Sequence, residues 1–181
     1  MYKARVQRKK KGAAIAEFGA AFMILVCFLF VPLINMGFVG VRYLIAQAAI
    51  QDFAHRLALS DKRSDAYSML ALQTFWADIS SNCGVKIKNR KLDLLASATN
   101  SSEQLRISQG QELSDEWLPG GAKAPCIYTF ELTVNVDIPP LFSGGPAIPG
   151  VTAAIPFTLN GRSPWENLSR DPESTRFFIN E

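Results

Sequence analysis

An α+β fold is predicted: a long N-terminal transmembrane helix continues into an exported helix packed on a small antiparallel β-sheet. Three observations predict it. Phe18–Val41 is a run of 24 residues without a charge. Beyond Arg42 the apolar residues keep helical spacing, and the segment YTFELTVNVDI, Tyr128 to Ile138, alternates strictly between apolar and polar. Helices first and strands afterwards is the element order of an α+β domain.

The uncharged run comes first. As a helix it is about 36 Å long at a rise of about 1.5 Å per residue, enough to cross a hydrocarbon core of about 30 Å. Pro32 lies inside it and cannot donate to the carbonyl of Phe28, so a kink is expected there, with polar Asn35 close by. Ala16, Gly19 and Ala20 fall on one side at helical spacing, a strip along which a second helix can approach closely. The full chain has 181 residues, a formal net charge of +3 and a mean hydropathy of +0.08, values that average over an uneven distribution. Lys3, Arg5, Arg8, Lys9, Lys10 and Lys11 supply six positive charges before Gly12; the remainder carries 13 basic and 16 acidic residues. Cations flanking one end of an apolar helix place that end in the cytoplasm, so everything after Arg42 is expected outside it. Basicity confined to a membrane flank also argues against nucleic-acid binding.

The next elements follow by periodicity. Tyr43, Ala46, Ile50, Phe53, Ala54 and Leu57 share one helical face, and Gln47, Gln51, Asp52, His55 and Arg56 line the other, with His55 reading as a solvated side chain. The polar run Ser60–Ser64 breaks the helix. A second helix is expected from about Asp65, with Met69, Leu72, Trp76 and Ile79 as its stripe and Ser80–Gly84 as its stop. Val85–Lys88, Lys91–Ala96, Gln104–Ser108 and residues 152–159 are weaker strand candidates beside Tyr128–Ile138, and Pro156 assigns the last of them to a sheet edge. Residues 42–160 thus read as the exported α+β domain and 161–181 as a polar tail, either loosely held or a contact arm.

Of the three cysteines, Cys27 lies in the membrane segment, while Cys83 and Cys126 are the disulfide candidates in an oxidising compartment. No catalytic constellation is visible, and neither a cofactor nor a metal is expected. His55 is the only histidine, no Cys/His cluster has zinc spacing, and no Gly-rich loop ends in Gly-Lys-Ser/Thr. Asp93, Glu103, Glu112, Asp115 and Glu116 are scattered and read as solvated. The chain is therefore not expected to be an enzyme.

One carboxylate stands out. Glu17 adjoins the apolar run, and an ionised side chain at mid-membrane costs about 2.5–3.5 kcal/mol on insertion scales, which makes it a functional candidate by default. A basic leader, Gly12 at its boundary, small residues after it and a glutamate five positions past the glycine form the pattern KKKG-AAIAEF. This pattern resembles the processing site of type IV prepilins, and within them the type IVb, or Flp, branch of the tight-adherence (Tad) machinery. With a long helix and an exported domain, the chain is similar to the TadE-like minor pilins, or pseudopilins, rather than to the short major pilins.

The resemblance implies that residues 1–12 are a leader removed by prepilin peptidase after Gly12. Ala13 then becomes the N-terminus of a transmembrane and assembly helix over 13–41, with Glu17 and Phe18 as its fifth and sixth residues. It also implies that Glu17 pairs with the N-terminal amine of a neighbouring subunit; a pairing with Ala13 of the same chain, four residues away on the helix, is the other arrangement. The implied partners are the peptidase, other pilin subunits, the pilus assembly platform and membrane lipid. The implied location is the bacterial inner membrane, N-terminus inside, with incorporation into an extracellular pilus. Two other readings of the sequence are an uncleaved single-pass anchor for a periplasmic binding or sensor domain, and a protein secreted after signal peptidase cleavage near Ala48.

Overall fold

A computed structural model describes residues 15–143 and 147–181. The leader and the predicted processing residues Gly12 and Ala13 lie outside the described residues. The chain divides into two compact units, Met1–Val41 with Pro139–Ile155, and Arg42–Ile138 with Pro156–Glu181. The helix Ile15–Ala58, α1, contributes to both.

The second unit is α+β. Helices α2 (Arg63–Ala71) and α3 (Gln73–Cys83) precede four strands, β1 (Lys86–Ala98), β2 (Gln104–Ile107), β3 (Cys126–Ile138) and β4 (Ile155–Pro164). Their order in the sheet is β2-β1-β3-β4. β1 pairs antiparallel with both β2 and β3. Partners on β3 and β4 also run in opposite directions, Tyr128 with Trp165 and Asn135 with Thr158. The alternation of β3 sets the core: Tyr128, Phe130, Leu132, Val134, Val136 and Ile138 are all buried on one face, beside Leu92, Leu94 and Ala96 of β1 and Leu159 of β4. Tyr128 donates its hydroxyl hydrogen to the carbonyl of Trp117 at 2.6 Å, and burial pushes its pKa up to about 12.

The C-terminal half of α1 packs on this face through Ala46, Ile50, Phe53, Ala54 and Leu57, all buried as its periodicity predicts. The contact is closest at Gly161, where a Cβ atom would lie 2.7 Å from the carbonyl oxygen of Ile50 and 2.8 Å from Cβ of Ala54. Glycine is required there by helix–strand approach. Gly161→Val is expected to lower stability by about 1–3 kcal/mol through overpacking, read as a lower urea midpoint of the full chain in detergent.

The same approach brings part of the polar helical face, which stays largely exposed, to the edge of β4. Gln47 donates to the carbonyl of Asn160 at 2.7 Å, and Gln51 both donates to the carbonyl of Arg162 at 2.7 Å and accepts from its N–H at 3.2 Å. Four residues of helix rise about 6 Å and two residues of strand about 6.6 Å, so successive helical turns meet successive outward-facing peptides of β4. The side chains satisfy an edge that would otherwise stand open to pairing. His55 likewise contacts Ser163, with Nδ1 3.1 Å from Oγ.

Three expectations are corrected. The predicted second helix is broken at Leu72, whose ψ of 128° separates α2 from α3. Leu70 and Trp76 are both buried although about 120° apart on a continuous helix, and the break brings both inward, leaving Leu72 exposed. Phe53 then stacks on Phe75 with centroids 3.9 Å apart and meets Trp76 edge-on. The two short strands expected at 85–96 are one strand, β1, irregular between Ile87 and Asn89 in the manner of a bulge. Finally, Cys83 and Cys126 are free thiols, as is Cys27. Cys126 pairs with Ala98 at one end of the β1–β3 ladder, whereas Cys83 is three residues before Lys86, which pairs with Asp137 at the other end. About 36 Å of strand separates those ends, against the ~4.4–6.8 Å between Cα atoms that a disulfide requires.

The last residues are docked. β4 continues through Pro164, Trp165 is buried against Phe130, and Ile179 is fully buried. Asn180 exchanges hydrogen bonds with the backbone of Leu113 at 2.8 and 3.0 Å, and Lys62 bridges Glu181 at 2.7 Å and Asp171 at 3.4 Å.

Candidate functional site

In the first unit, the N-terminal half of α1 presents its apolar side chains outward. Ile15, Phe18, Phe22, Met23, Ile24, Phe28, Leu29 and Leu33 are exposed, Phe28 at 79%. Only 11% of the most apolar 18-residue window of the helix is buried. A core helix of that composition would be covered by protein, so this one has the length and surface to cross a membrane. Glu17 lies in its first described turn, exposed, and among the described residues it makes no ion pair. Phe18 stacks on Phe22 one turn later, centroids 6.3 Å apart. Ala16, Gly19 and Ala20 are exposed, and a Cβ added at Gly19 would meet nothing within 4 Å, so the strip is open to an approaching helix. Just before Pro32 the α pattern gives way to a π-helical segment, Val26–Phe30. A wider turn beside the proline accommodates its missing N–H.

Asn35, one turn past Pro32, is fully buried despite its polarity. Its hydrogen-bond partners come from the distant segment Pro139–Ile155. Its Nδ2 donates to the carbonyl of Phe142 at 2.9 Å and to that of Val151, and its Oδ1 accepts from the N–H of Phe142 at 2.8 Å. One side chain thus supplies three hydrogen bonds to the backbone of this loop. The loop is closed on itself around the carbonyl of Ile148, which accepts from Val151, Thr152 and Ala153, and by Gly150 at φ +76°. Sequence reasoning did not connect Asn35 with this loop. The available signal was a second uncharged run, Ile138–Gly161, also 24 residues long.

The outer face of the sheet carries a charge cluster that the sequence reading scattered. Asp93 and Glu131 are direct cross-strand partners and both are buried. Lys91 and Arg106 reach Asp93 at 2.8 and 3.2 Å, and Ser108 donates to it at 2.7 Å. Arg106 also bonds Glu131, which accepts from Nε of Arg162 at 2.8 Å. Burial raises the Asp93 pKa, but the hydrogen bonds from Lys91 and Ser108 and the charges of Lys91 and Arg106 outweigh it and hold the carboxyl below its ordinary value. Asp93 is therefore ionised near neutral pH with its oxygens already engaged, and the cluster ties all four strands together while Asp93 offers no proton to a substrate.

Among the described residues no group of three or more His, Cys, Asp or Glu side chains is placed to hold a metal ion. The chain matches no protein family, no curated protein and no solved structure. Among the described residues, the feature that most invites a partner is the exposed apolar part of α1, residues 15–41, with Glu17 as its one carboxylate.

Proposed function

We propose that this chain is a TadE-like minor pilin, or pseudopilin, of a type IVb (Flp, Tad) pilus system, a membrane-anchored building block acting in pilus biogenesis, adhesion or related secretion. The observation that carries this reading is Glu17, the one carboxylate in the exposed apolar part of α1 over 15–41, five residues past the glycine that ends a basic leader. Cleavage after Gly12 creates a cationic amine on Ala13, and a carboxylate at membrane depth is tolerable when a cation neutralises it. The open strip of Ala16, Gly19 and Ala20 lets the helix of another subunit come close enough to make that pair. The α+β unit supplies the exported body, with its sheet edge at β4 closed by Gln47 and Gln51.

Intact mass and N-terminal sequencing of the chain extracted from membranes of a host with its own prepilin peptidase test the proposal. A chain beginning at Ala13 is expected, and Gly12→Asp is expected to retain the leader. A chain beginning at Met1 would make it an uncleaved anchor, and one beginning at Ala49 a secreted protein; either result overturns the pilin reading.

A further inference from the structure

We infer that the described residues of the loop Pro139–Ile155, 139–143 and 147–155, form a membrane-interface collar: Leu141, Phe142 and Ile148 insert among the lipid headgroups and upper acyl chains on the side of the bilayer opposite the basic leader. The inference rests on the proposed reading of the N-terminal helix as a membrane span.

Depth is the first argument. If the hydrocarbon core starts at Phe18, about 30 Å of helix ends near Gly37, so Asn35 lies at its far edge. Asn35 holds Phe142 by two hydrogen bonds and Val151 by a third, which fixes the loop at that same level. Surface chemistry is the second. Phe142 is 52% exposed, Ile148 50% and Leu141 39%, and no charged residue occurs from Ile138 to Gly161. Exposed aromatic and aliphatic side chains without charge suit the boundary between headgroups and hydrocarbon. Backbone chemistry is the third. Irregular backbone is excluded from lipid-facing positions in the hydrocarbon but not from the interface, and the Asn35 amide together with the turn around Ile148 satisfies the polar groups closest to the helix. The only polar side chain in this part of the helix is thus spent on holding the loop.

The test uses the full chain in phosphatidylcholine vesicles, with Cys27→Ala, Cys83→Ala and Cys126→Ser. A fluorophore is placed on single cysteines at Phe28→Cys, Phe142→Cys, Ile148→Cys or Glu173→Cys. Lipids brominated near the headgroup are expected to quench the labels at 142 and 148 more than lipids brominated near the chain terminus. The label at 28 should show the opposite order, and the label at 173 should respond to neither. Quenching at 28 with responses at 142 and 148 like that at 173 would overturn the collar while leaving the membrane span intact. No quenching at 28 would overturn the span and the collar with it. Asn35→Ala in the Ile148→Cys chain gives a second readout: quenching at 148 is expected to fall toward the level of 173 while 28 is unchanged, and an unaltered response at 148 would show that Asn35 does not hold the loop at the interface.

Discussion

Glu17→Ala is expected to leave cleavage after Gly12 intact while abolishing incorporation of the subunit into filaments. In the proposed reading the peptidase acts on a bond five residues away, whereas assembly buries the new α-amine of one subunit against the carboxylate of another. Removing one member of a buried ion pair costs about 3–5 kcal/mol, because the remaining charge is left without a partner. At about 1.4 kcal/mol per decade that lowers the incorporation equilibrium by about two to three and a half orders of magnitude. Glu17→Asp, which keeps the charge on a shorter stem, is expected to recover part of the loss, and Glu17→Gln less. Separating sheared filaments from membranes and detecting the mature subunit in each fraction reads the result. Normal incorporation of Glu17→Ala would show that the carboxylate does not set assembly.

Phe130→Ala is expected to have the largest effect on the α+β unit. The ring is fully buried on the core face of β3, opposite Leu94 and edge-on to Trp165 with centroids 5.0 Å apart. Truncation removes its transfer free energy and leaves a cavity between sheet and helix, about 3–5 kcal/mol for a buried phenylalanine. Domains of this kind are stable by only about 5–15 kcal/mol, so a substantial fraction of the total is lost. Urea unfolding of the full chain in detergent, followed by tryptophan emission, should show a clear fall in midpoint with little change in slope. Phe130→Leu, which keeps most of the volume, should cost less. Gly161→Val probes the same seam from the opposite direction, by adding volume where none can be taken up.

Where one period was strong and uninterrupted, the sequence was legible. The apolar face of α1 from Ala46 to Leu57 and the alternation of β3 both appear as read, and Pro156 does lie on an edge strand. Local signals failed where two elements share a core. The break at Leu72 is set by which face Leu70 and Trp76 must reach, which no local propensity states. The bonds of Gln47 and Gln51 to β4 were not legible, because a polar face looks the same whether it meets water or the open edge of a strand more than a hundred residues away. Cys83 and Cys126 are a pair in sequence arithmetic, yet the length of the β1–β3 ladder keeps them apart.

By itself, the sequence determined that an uncharged helix long enough to span a bilayer precedes an α+β unit, since both properties come from short-range periodicity and from the absence of charge. It also singled out Glu17, because a carboxylate carried into a membrane by such a helix is costly unless a cation pairs with it. Only the tertiary structure decided what Asn35, Asp93 and Glu131 are for. Each is a polar group whose cost of burial is offset by partners far away in the chain, Phe142 and Val151 for Asn35, and Arg106 and Arg162 around the carboxylates. A buried polar side chain and a solvated one are the same residue in sequence; the fold distinguishes them by bringing, or not bringing, a hydrogen-bond partner within reach.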